Sequence, residues 1–560
     1  VECIEGFWLP QGVRHQHPVP EIGYRTLSFA QGQPCEPDDE GAVTIRWPVL
    51  EQGAWEQLLV ALRSNRERVP QGQVFWDRFQ AALKPVAARF ADPADPLHCA
   101  ARATLPAYTG YSEAMVEVTL GALDMWALEQ FPAAFQLLPT LEAATDWQVM
   151  ENLPGRLRFY HDRPSPISWD RLWRRGSAPL FDPPSLPELV VGYGAGNVPG
   201  TALLIAFLAL TTTLAGGPAP VTVVKNSRRE PIFTPLVLTA LESVDPDLVA
   251  ATAVLIWDYE DSKIQEQLLG QADLAIAAAG DATIDQIGRV LNRAGAGRFH
   301  AHGHKVSFSA IEHRVLEHGL CIPEEGTPLL DVVTLLAALD SVFWDQHGCL
   351  SSRIHFVEAG GKGHHSALEY AARLAEQLRA LAAWLPRGAW PRRFLHDRFD
   401  RYTSLEQTGQ VQVLSGYDDE FVVVVDGRPL DAARFQAAVN DCEGRVIIVR
   451  PVEELMEIPD QYLRLLPVAN LQSLSVALGR EGEGLTDAFL NFAEACGARG
   501  VTAIRTVGRG AFPQLAYSWD GLIPLDLIRS RRKGRFATIE FDTPYDDMLA
   551  TYRLMIQRAA

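Results

Sequence analysis

From Gly192 to Val224 the chain carries no charged residue, and that run constrains most of what can surround it. Glu188 to Tyr193 reads as a buried strand, Gly194, Gly196 and Gly200 as a turn, and Thr201 to Leu214 as an uncharged helix. After Gly216-Gly217-Pro218 a second strand, Pro220 to Val224, ends at the basic loop that Lys225 opens. A bilayer span is excluded, because Thr211 to Thr213 and the Gly-Gly-Pro break interrupt the run well short of the ~20 apolar residues a span needs. A helix buried between two strands fits instead. This order of elements suits a nucleotide-binding α/β unit, in which backbone N–H groups at a helix start face a phosphate. Two readings of the turn stay open. Gly194-x-Gly196-x-x-x-Gly200 departs by one position from the dinucleotide fingerprint, and Lys225 stands where an acid for the ribose is expected. Alternatively Asn197 and Pro199 act apart from the glycines, with Asn197 offering its amide to a substrate oxygen and Lys225 serving the nucleotide. The second reading needs a nucleophile elsewhere.

The alternation continues downstream. Ile232 to Ser243, Ser262 to Gln271 and Ala282 to Arg293 read as helices, and Ala251 to Trp257 and Ala272 to Ala278 as apolar strands between them. Buried strands separated by helices of that length imply a mostly parallel sheet covered on both faces. Gly280 follows the last of these strands, where a ligand crevice opens in such sheets. The next segment, Phe299-His300-Ala301-His302-Gly303-His304, alternates histidines along a strand and invites a zinc reading. No Asp, Glu or Cys at ligand spacing follows, so no metal is expected.

A length of 560 residues implies more than one folding unit, with 47% hydrophobic and 21% charged residues giving an ordinary globular composition. The net charge of −19 argues against nucleic acid and anionic membrane surfaces as partners. Seven scattered cysteines without a C-x-x-C pair fit a reducing compartment, and VECIEGFWLP has no secretory pattern, so the expected location is cytoplasmic. Trp8, Trp47, Trp55 and Trp76 read as core anchors. Helices are expected at Ala54 to Val69 and Ser112 to Leu138, and the proline-rich Pro164 to Pro187 reads as a connector. The basic patch Arg529 to Arg535 reads as solvated surface, with contact to a phosphorylated acyl carrier as the alternative.

A nucleophile is available in FWDQHGCLSSRIHFVEAGG, which places Cys349 after a glycine, on a short loop between the apolar helix Leu329 to Phe343 and the apolar strand Ile354 to Glu358. Asn197-x-Pro199, then Lys225-x-Ser227 and Pro231, resembles the N-x-P…K-x-S…P pattern of the aldehyde dehydrogenase superfamily. Ala279-Gly280 resembles its second nucleotide turn, Gly303-His304-Lys305 its G-G-K segment, and Gly348-Cys349-x-x-Ser352-Arg353 its nucleophile loop. GNVPG, GHKVSFSAI (Gly303 to Ile311) and CLSS are most similar to the fatty-acyl-CoA reductase family within it, to which the reductase of bacterial bioluminescence belongs. The resemblance spans Pro187 to Leu474.

It implies an aldehyde-dehydrogenase-like α/β fold with two parallel-sheet, Rossmann-like domains and an N-terminal extension. The expected division is 1–186 as N-terminal region and connector, 187–326 as nucleotide-binding domain, 327–475 as catalytic domain, and 476–560 packing back on the nucleotide-binding domain. The implied function is NADPH-dependent reduction of a long-chain fatty acyl thioester to the aldehyde. Cys349 would carry the acyl group and Asn197 would bind the developing oxyanion. Lys225, Ser227, Arg228 and Gly280 would hold the cofactor, and NADPH is expected because Ser227-Arg228-Arg229 lacks the glutamate that repels a 2′-phosphate. Ala301 falls where hydrolytic members carry a glutamate base, as suits a thioester enzyme, and Leu463-Arg464-Leu465 replaces their ribose-binding glutamate. The acyl donor would be acyl-CoA or acyl carrier protein, with an acyl-transferring partner enzyme as a further source, and the subunits would associate. An acylating aldehyde dehydrogenase running oxidatively, or a non-catalytic acyl-binding or complex-forming protein, are the alternatives. Taken alone, Cys349 also reads as a packing residue, Asn197 as a helix cap and the arginines as solvated.

Overall fold

The computed structural model describes residues 3–16, 23–125, 146–150, 155–161, 186–215, 217–258, 262–295, 297–322, 326–407, 409–479, 486–511, 517–522, 534–541 and 544–559. The second half of the expected helix Ser112 to Leu138, most of the connector Pro164 to Pro187 and most of the patch Arg529 to Arg535 lie outside these residues. Three sheets organise the rest. The N-terminal one contains β1 (Cys3–Glu5), β2 (Tyr24–Ala30), β3 (Gln33–Cys35) and β4 (Val43–Pro48), in the order β1-β4-β2-β3. Two antiparallel strands follow later, β5 (Gln148–Val149) and β6 (Arg156–His161).

The uncharged run folds as its periodicity predicts. It supplies β7 (Leu189–Tyr193), the helix Thr201–Leu210 and β8 (Val221–Lys225), which continue with β9 (Thr252–Leu255), β10 (Leu274–Ala278) and β11 (Arg298–His302). These five strands are all parallel, in the order β11-β10-β7-β8-β9. Every residue of β7 to β10 is buried, which explains why their sequences are continuous apolar runs rather than alternating ones. The helix is shorter than the expected Thr201 to Leu214. Thr211, Thr212 and Thr213 turn their hydroxyls back on the carbonyls of Leu208, Ala209 and Leu210, and the chain tightens into a 3-10 turn there.

Strands β12 (Val306–Ile311), β13 (Ser352–Glu358), β14 (Val411–Val413), β15 (Val422–Asp426), β16 (Val446–Val452), β17 (Leu471–Ala477), β18 (Ala503–Thr506) and β19 (Gly534–Glu540) form the large sheet. Its order is β14-β15-β16-β13-β12-β17-β18-β19-β6-β5, parallel from β15 to β19 and antiparallel at both edges. Two features differ from the expected division. Strand β12 precedes residue 327 yet hydrogen-bonds between β13 and β17 in the large sheet. The C-terminal strands β18 and β19 also extend the large sheet instead of packing back on the nucleotide sheet, although Trp519 and Leu522 do pack against the core of the small one.

Two consequences place the site. Strand order reverses at β7, with β8 on one side and β10 on the other, so the turns after β7 and β10 flank the crevice where parallel sheets bind ligands. Those turns carry Gly194 to Gly200 and Gly280. Only Gly303, His304 and Lys305 separate β11 from β12, so the C-terminal edge of the small sheet faces the N-terminal edge of the large one. The N-terminal region covers the flank: Trp8 exchanges backbone hydrogen bonds with Val254 of the edge strand β9, at 2.8 and 2.9 Å. Trp8, Trp47 and Trp55 are buried and Trp76 packs on the same core, as expected of anchors. No helix among the described residues is long and apolar enough to cross a membrane.

Candidate active site

Between the two sheet edges lies a cavity of about 530 Å³. Gly196, Asn197, Ser227 and Gly280 line it from the small sheet, and Cys349 from the large one. Cys349 sits on the loop before β13 and is partly exposed. Its carbonyl accepts a hydrogen bond from Ser307 Oγ of β12 at 2.8 Å, and Ser473 Oγ of β17 braces Ser307 at 2.8 Å. Burial, reinforced by the carboxylate of Asp520, pushes the Cys349 thiol up to about 11. A hydrogen bond from Gln472 Nε2, 3.4 Å from Sγ, works the other way.

The backbone leading into this loop is unusual. Trp344, Asp345 and Gln346 have φ of 49°, 49° and 64°, a left-handed run without glycine. Buried partners hold it. Asp345 accepts from Arg445 Nε at 2.7 Å and from the Gly388 N–H at 3.0 Å, and Gln346 bonds Ser352 O at 3.0 Å and the Val446 N–H at 2.9 Å. On the far wall, the Asn197 carbonyl accepts from Tyr111 Oη, and its side-chain amide donates to His347 O at 2.7 Å. That bond spans from the glycine turn to the loop of Cys349, and Asn197 lines the cavity.

The turn itself depends on Glu230, which the sequence reading passed over. Its buried carboxylate accepts from the N–H groups of Gly200 (3.3 Å), Ile232 (3.2 Å) and Phe233 (2.8 Å). Gly196 is needed because an added Cβ would collide with Ser227 Oγ. Gly280 is different: nothing lies within 4 Å of the same point, so the N-terminus of the helix Asp281–Ala294 is open to the cavity.

Two expected cofactor residues stand apart. Lys225 ends β8 under the ring of Trp257, 5.8 Å from its centroid, and does not line the cavity. Burial, with Arg228 adding to it, lowers its ammonium to about 8. Arg228 pairs with Asp258 at 2.9 Å, and it is Arg229 that lines the cavity. The sequence reading also missed Gln472 and Asp520, and weighed His302 only as a metal ligand; all three line the cavity that Cys349 lines.

The family description acyl-CoA reductase (LuxC) matches residues 187–531. The chain belongs to this family. That membership makes it an oxidoreductase of the acyl-CoA reductase type, and the matched range contains both sheet edges of the cavity. No curated protein matches the chain. Among solved structures it is similar to the Δ-pyrroline-5-carboxylate dehydrogenase of Mycobacterium tuberculosis, at 13% identity, over 97% of this chain and 91% of that one, with a TM-score of 0.56. The putative aldehyde dehydrogenase PutA of Anabaena variabilis aligns at 14% identity over 93% and 98% with a TM-score of 0.54. Aldehyde dehydrogenase 21 of Physcomitrella patens, solved with succinate, gives 12%, 91%, 97% and 0.54. At such identities these likenesses establish the fold, which is that of the aldehyde dehydrogenases.

Proposed function

We propose that this acyl-CoA reductase converts a long-chain fatty acyl thioester to its aldehyde through an acyl-enzyme on Cys349, with NADPH as reductant. The observation that carries the reading is that Cys349 and Asn197 open on one cavity with the crevice of the parallel sheet. A thiolate attacks a thioester readily and the carrier thiol leaves well, so a covalent intermediate divides one hard step into two easier ones. The oxygen that becomes negative would take the second amide N–H of Asn197 and the backbone N–H of Cys349. Removing such a donor costs about 3 kcal/mol of transition-state stabilisation.

The residues present fit a dinucleotide. Gly280 leaves the helix start at Asp281 clear for a phosphate, and Ser227 and Arg229 stand on the same wall. When bound, the nicotinamide supplies a hydride to the acyl carbon. Asn226-Ser227-Arg228-Arg229 presents no carboxylate to repel a 2′-phosphate, and Glu230 is turned away into the helix start. Asp258, the nearest acid at the end of β9, is paired with both Arg228 and Arg25.

An apolar arm supports the fatty acyl substrate. Ala122 and Leu123 of the helix Glu113–Met125 face Leu203, Leu204 and Leu208 of the helix Thr201–Leu210 across the same cavity, with Phe233 beside them. No polar side chain among these six would be desolvated by a hydrocarbon chain. The test is acyl-CoA with NADPH, followed by loss of nicotinamide absorbance, in wild type and Cys349→Ala. Turnover in the wild type and none in the variant is the expected result, with NADPH preferred over NADH at equal concentration. A variant as fast as the wild type would remove the assignment of Cys349.

A further inference from the structure

Strand β17 meets the cavity at Gln472, a side chain whose two polar ends are both engaged by groups of the site. Its Nε2 reaches Cys349 Sγ at 3.4 Å and Asp520 Oδ1 at 2.7 Å, and its Oε1 lies 3.4 Å from Ser307 Oγ. The chain of contacts continues beyond the carboxylate, where Asp520 Oδ2 lies 2.8 Å from His302 Nδ1. Gln472 is 2% exposed, and the side chains of His302 and Asp520 are 5% and 2% exposed, so these contacts are largely shielded from water.

An amide side chain can face a neighbour with either its oxygen or its nitrogen. Here the carboxylate decides. Burial alone would favour the neutral acid, but the hydrogen bond and charge of His302 hold Asp520 below the ordinary carboxylate range. An ionised carboxylate only accepts, so Nε2 must face it, and the second N–H on the same nitrogen is the one directed at sulfur. A thiol sulfur accepts such a bond weakly and a thiolate strongly, because hydrogen bonds to ionised groups are the stronger class. The contact therefore favours the anion. Other charges act on it as well. Asp520 opposes the anion, Lys305 of the link between β11 and β12 supports it, and Arg353 of β13 interacts with it. Strand β17 itself carries no charge, and His302, His304 and His347 line the same cavity.

We propose that Gln472 is a catalytic residue of this site: its N–H holds the sulfur of Cys349 as an anion, both when it attacks and when it departs, and Asp520 keeps the amide turned that way. The proposal rests on the acyl-enzyme reading above. Gln472 exchanges no proton. In aldehyde release, the oxyanion left after hydride addition re-forms its C=O bond and the carbon–sulfur bond breaks. The electron pair of that bond departs on Sγ, where the Gln472 N–H meets the new charge. This sulfur needs such a donor. Buried and beside a carboxylate, its thiol is pushed up to about 11, which makes the unassisted anion a poor leaving group.

Alkylation of Cys349 tests this without acyl chemistry, because the reactive form is the thiolate. The full chain is labelled with iodoacetamide, and separately with methyl methanethiosulfonate, across the neutral to mildly alkaline range, and each cysteine is read by peptide mass. Gln472→Leu removes the donor and is expected to slow Cys349 about tenfold with both reagents, the equivalent of one pKa unit. Asp520→Asn removes the opposing charge but leaves an acceptor for the amide, and should speed Cys349 at least about threefold. The exposed Cys99 and Cys321 serve as references, and the buried Cys442 and Cys496 stay unlabelled while the fold holds. Gln472→Met, which keeps the length of the side chain, is read instead if Gln472→Leu labels the buried pair. Opposite shifts in the two variants support the proposal, and shifts of the same sign, as a purely structural role would give, overturn it. A rate unchanged or raised on loss of Gln472, or a change that differs between the reagents and so reports access, also overturns it. Failure of the acyl-enzyme reading would show separately, as a wild type that takes no acyl group from acyl-CoA.

Discussion

Replacing Asp345 by alanine tests how the nucleophile loop is held. Three left-handed residues in succession, Trp344 to Gln346, each cost about 1–3 kcal/mol relative to ordinary backbone. The structure tolerates them because Asp345 and Gln346 are locked by buried partners. Asp345 is fully buried and Arg445 is 3% exposed, so the alanine variant leaves a guanidinium in the interior without its carboxylate. Breaking such a pair from one side costs about 3–5 kcal/mol. Arg445 still donates to Leu385 O at 3.0 Å and Pro386 O at 3.2 Å, which places the expected loss near the lower end, about 3 kcal/mol. The Gly388 N–H also loses its acceptor. Equilibrium urea unfolding followed by tryptophan fluorescence measures the loss. The double variant Asp345→Leu with Arg445→Met, which removes both charges, should recover most of it. A loss below about 1 kcal/mol for Asp345→Ala, or a double variant less stable than the single one, would refute the reasoning.

Other outcomes follow from the same geometry. Asn197→Leu should lower kcat on the order of 10²-fold with little change in KM, because the lost N–H acts on the transition state; a pure KM effect in steady-state kinetics would contradict this. Leu208→Phe fills the apolar arm and should shift preference to shorter acyl-CoA substrates, by about fourfold in kcat/KM per methylene excluded, read from a chain-length series. An unchanged profile would place the acyl chain elsewhere. Burial raises Glu230 from its ordinary 4.5 to about 7, so the folded chain binds its proton more tightly than the unfolded one. Its contribution is therefore fully present below pH 4.5 and is lost as pH rises through about 7, a change of about 3 kcal/mol. Urea unfolding across that window should show this slope in the wild type and not in Glu230→Gln, and equal slopes would exclude the carboxyl as its source.

The parts of the fold legible in the sequence are those with a local cause. The apolar runs at Val190, Val223 and Ala275 could only be strands buried on both faces, and the glycine turn after Tyr193 lies where the chain order placed it. The loop of Cys349 was legible through its neighbours Gly348 and Ser352. What could not be read depends on pairs far apart in the chain. Gln472 meets Cys349 across 123 positions and Asp520 meets His302 across 218, and nothing in LQS or SWD marks either residue. Burial of Lys225 beneath Trp257 is likewise a tertiary outcome, set by how β8 and β9 pair. Strand β12 joins the large sheet although only Gly303 to Lys305 separate it from β11, too short a link for composition to signal a change of sheet.

The central claim is that Cys349 accepts the acyl group. Intact and peptide mass spectrometry of the chain incubated with a fatty acyl-CoA, without nicotinamide, tests it most directly. The account predicts one acyl group on the peptide containing Cys349, discharged as aldehyde when NADPH is added and absent from Cys349→Ala. An adduct on another residue, or aldehyde formed by the alanine variant, would contradict it.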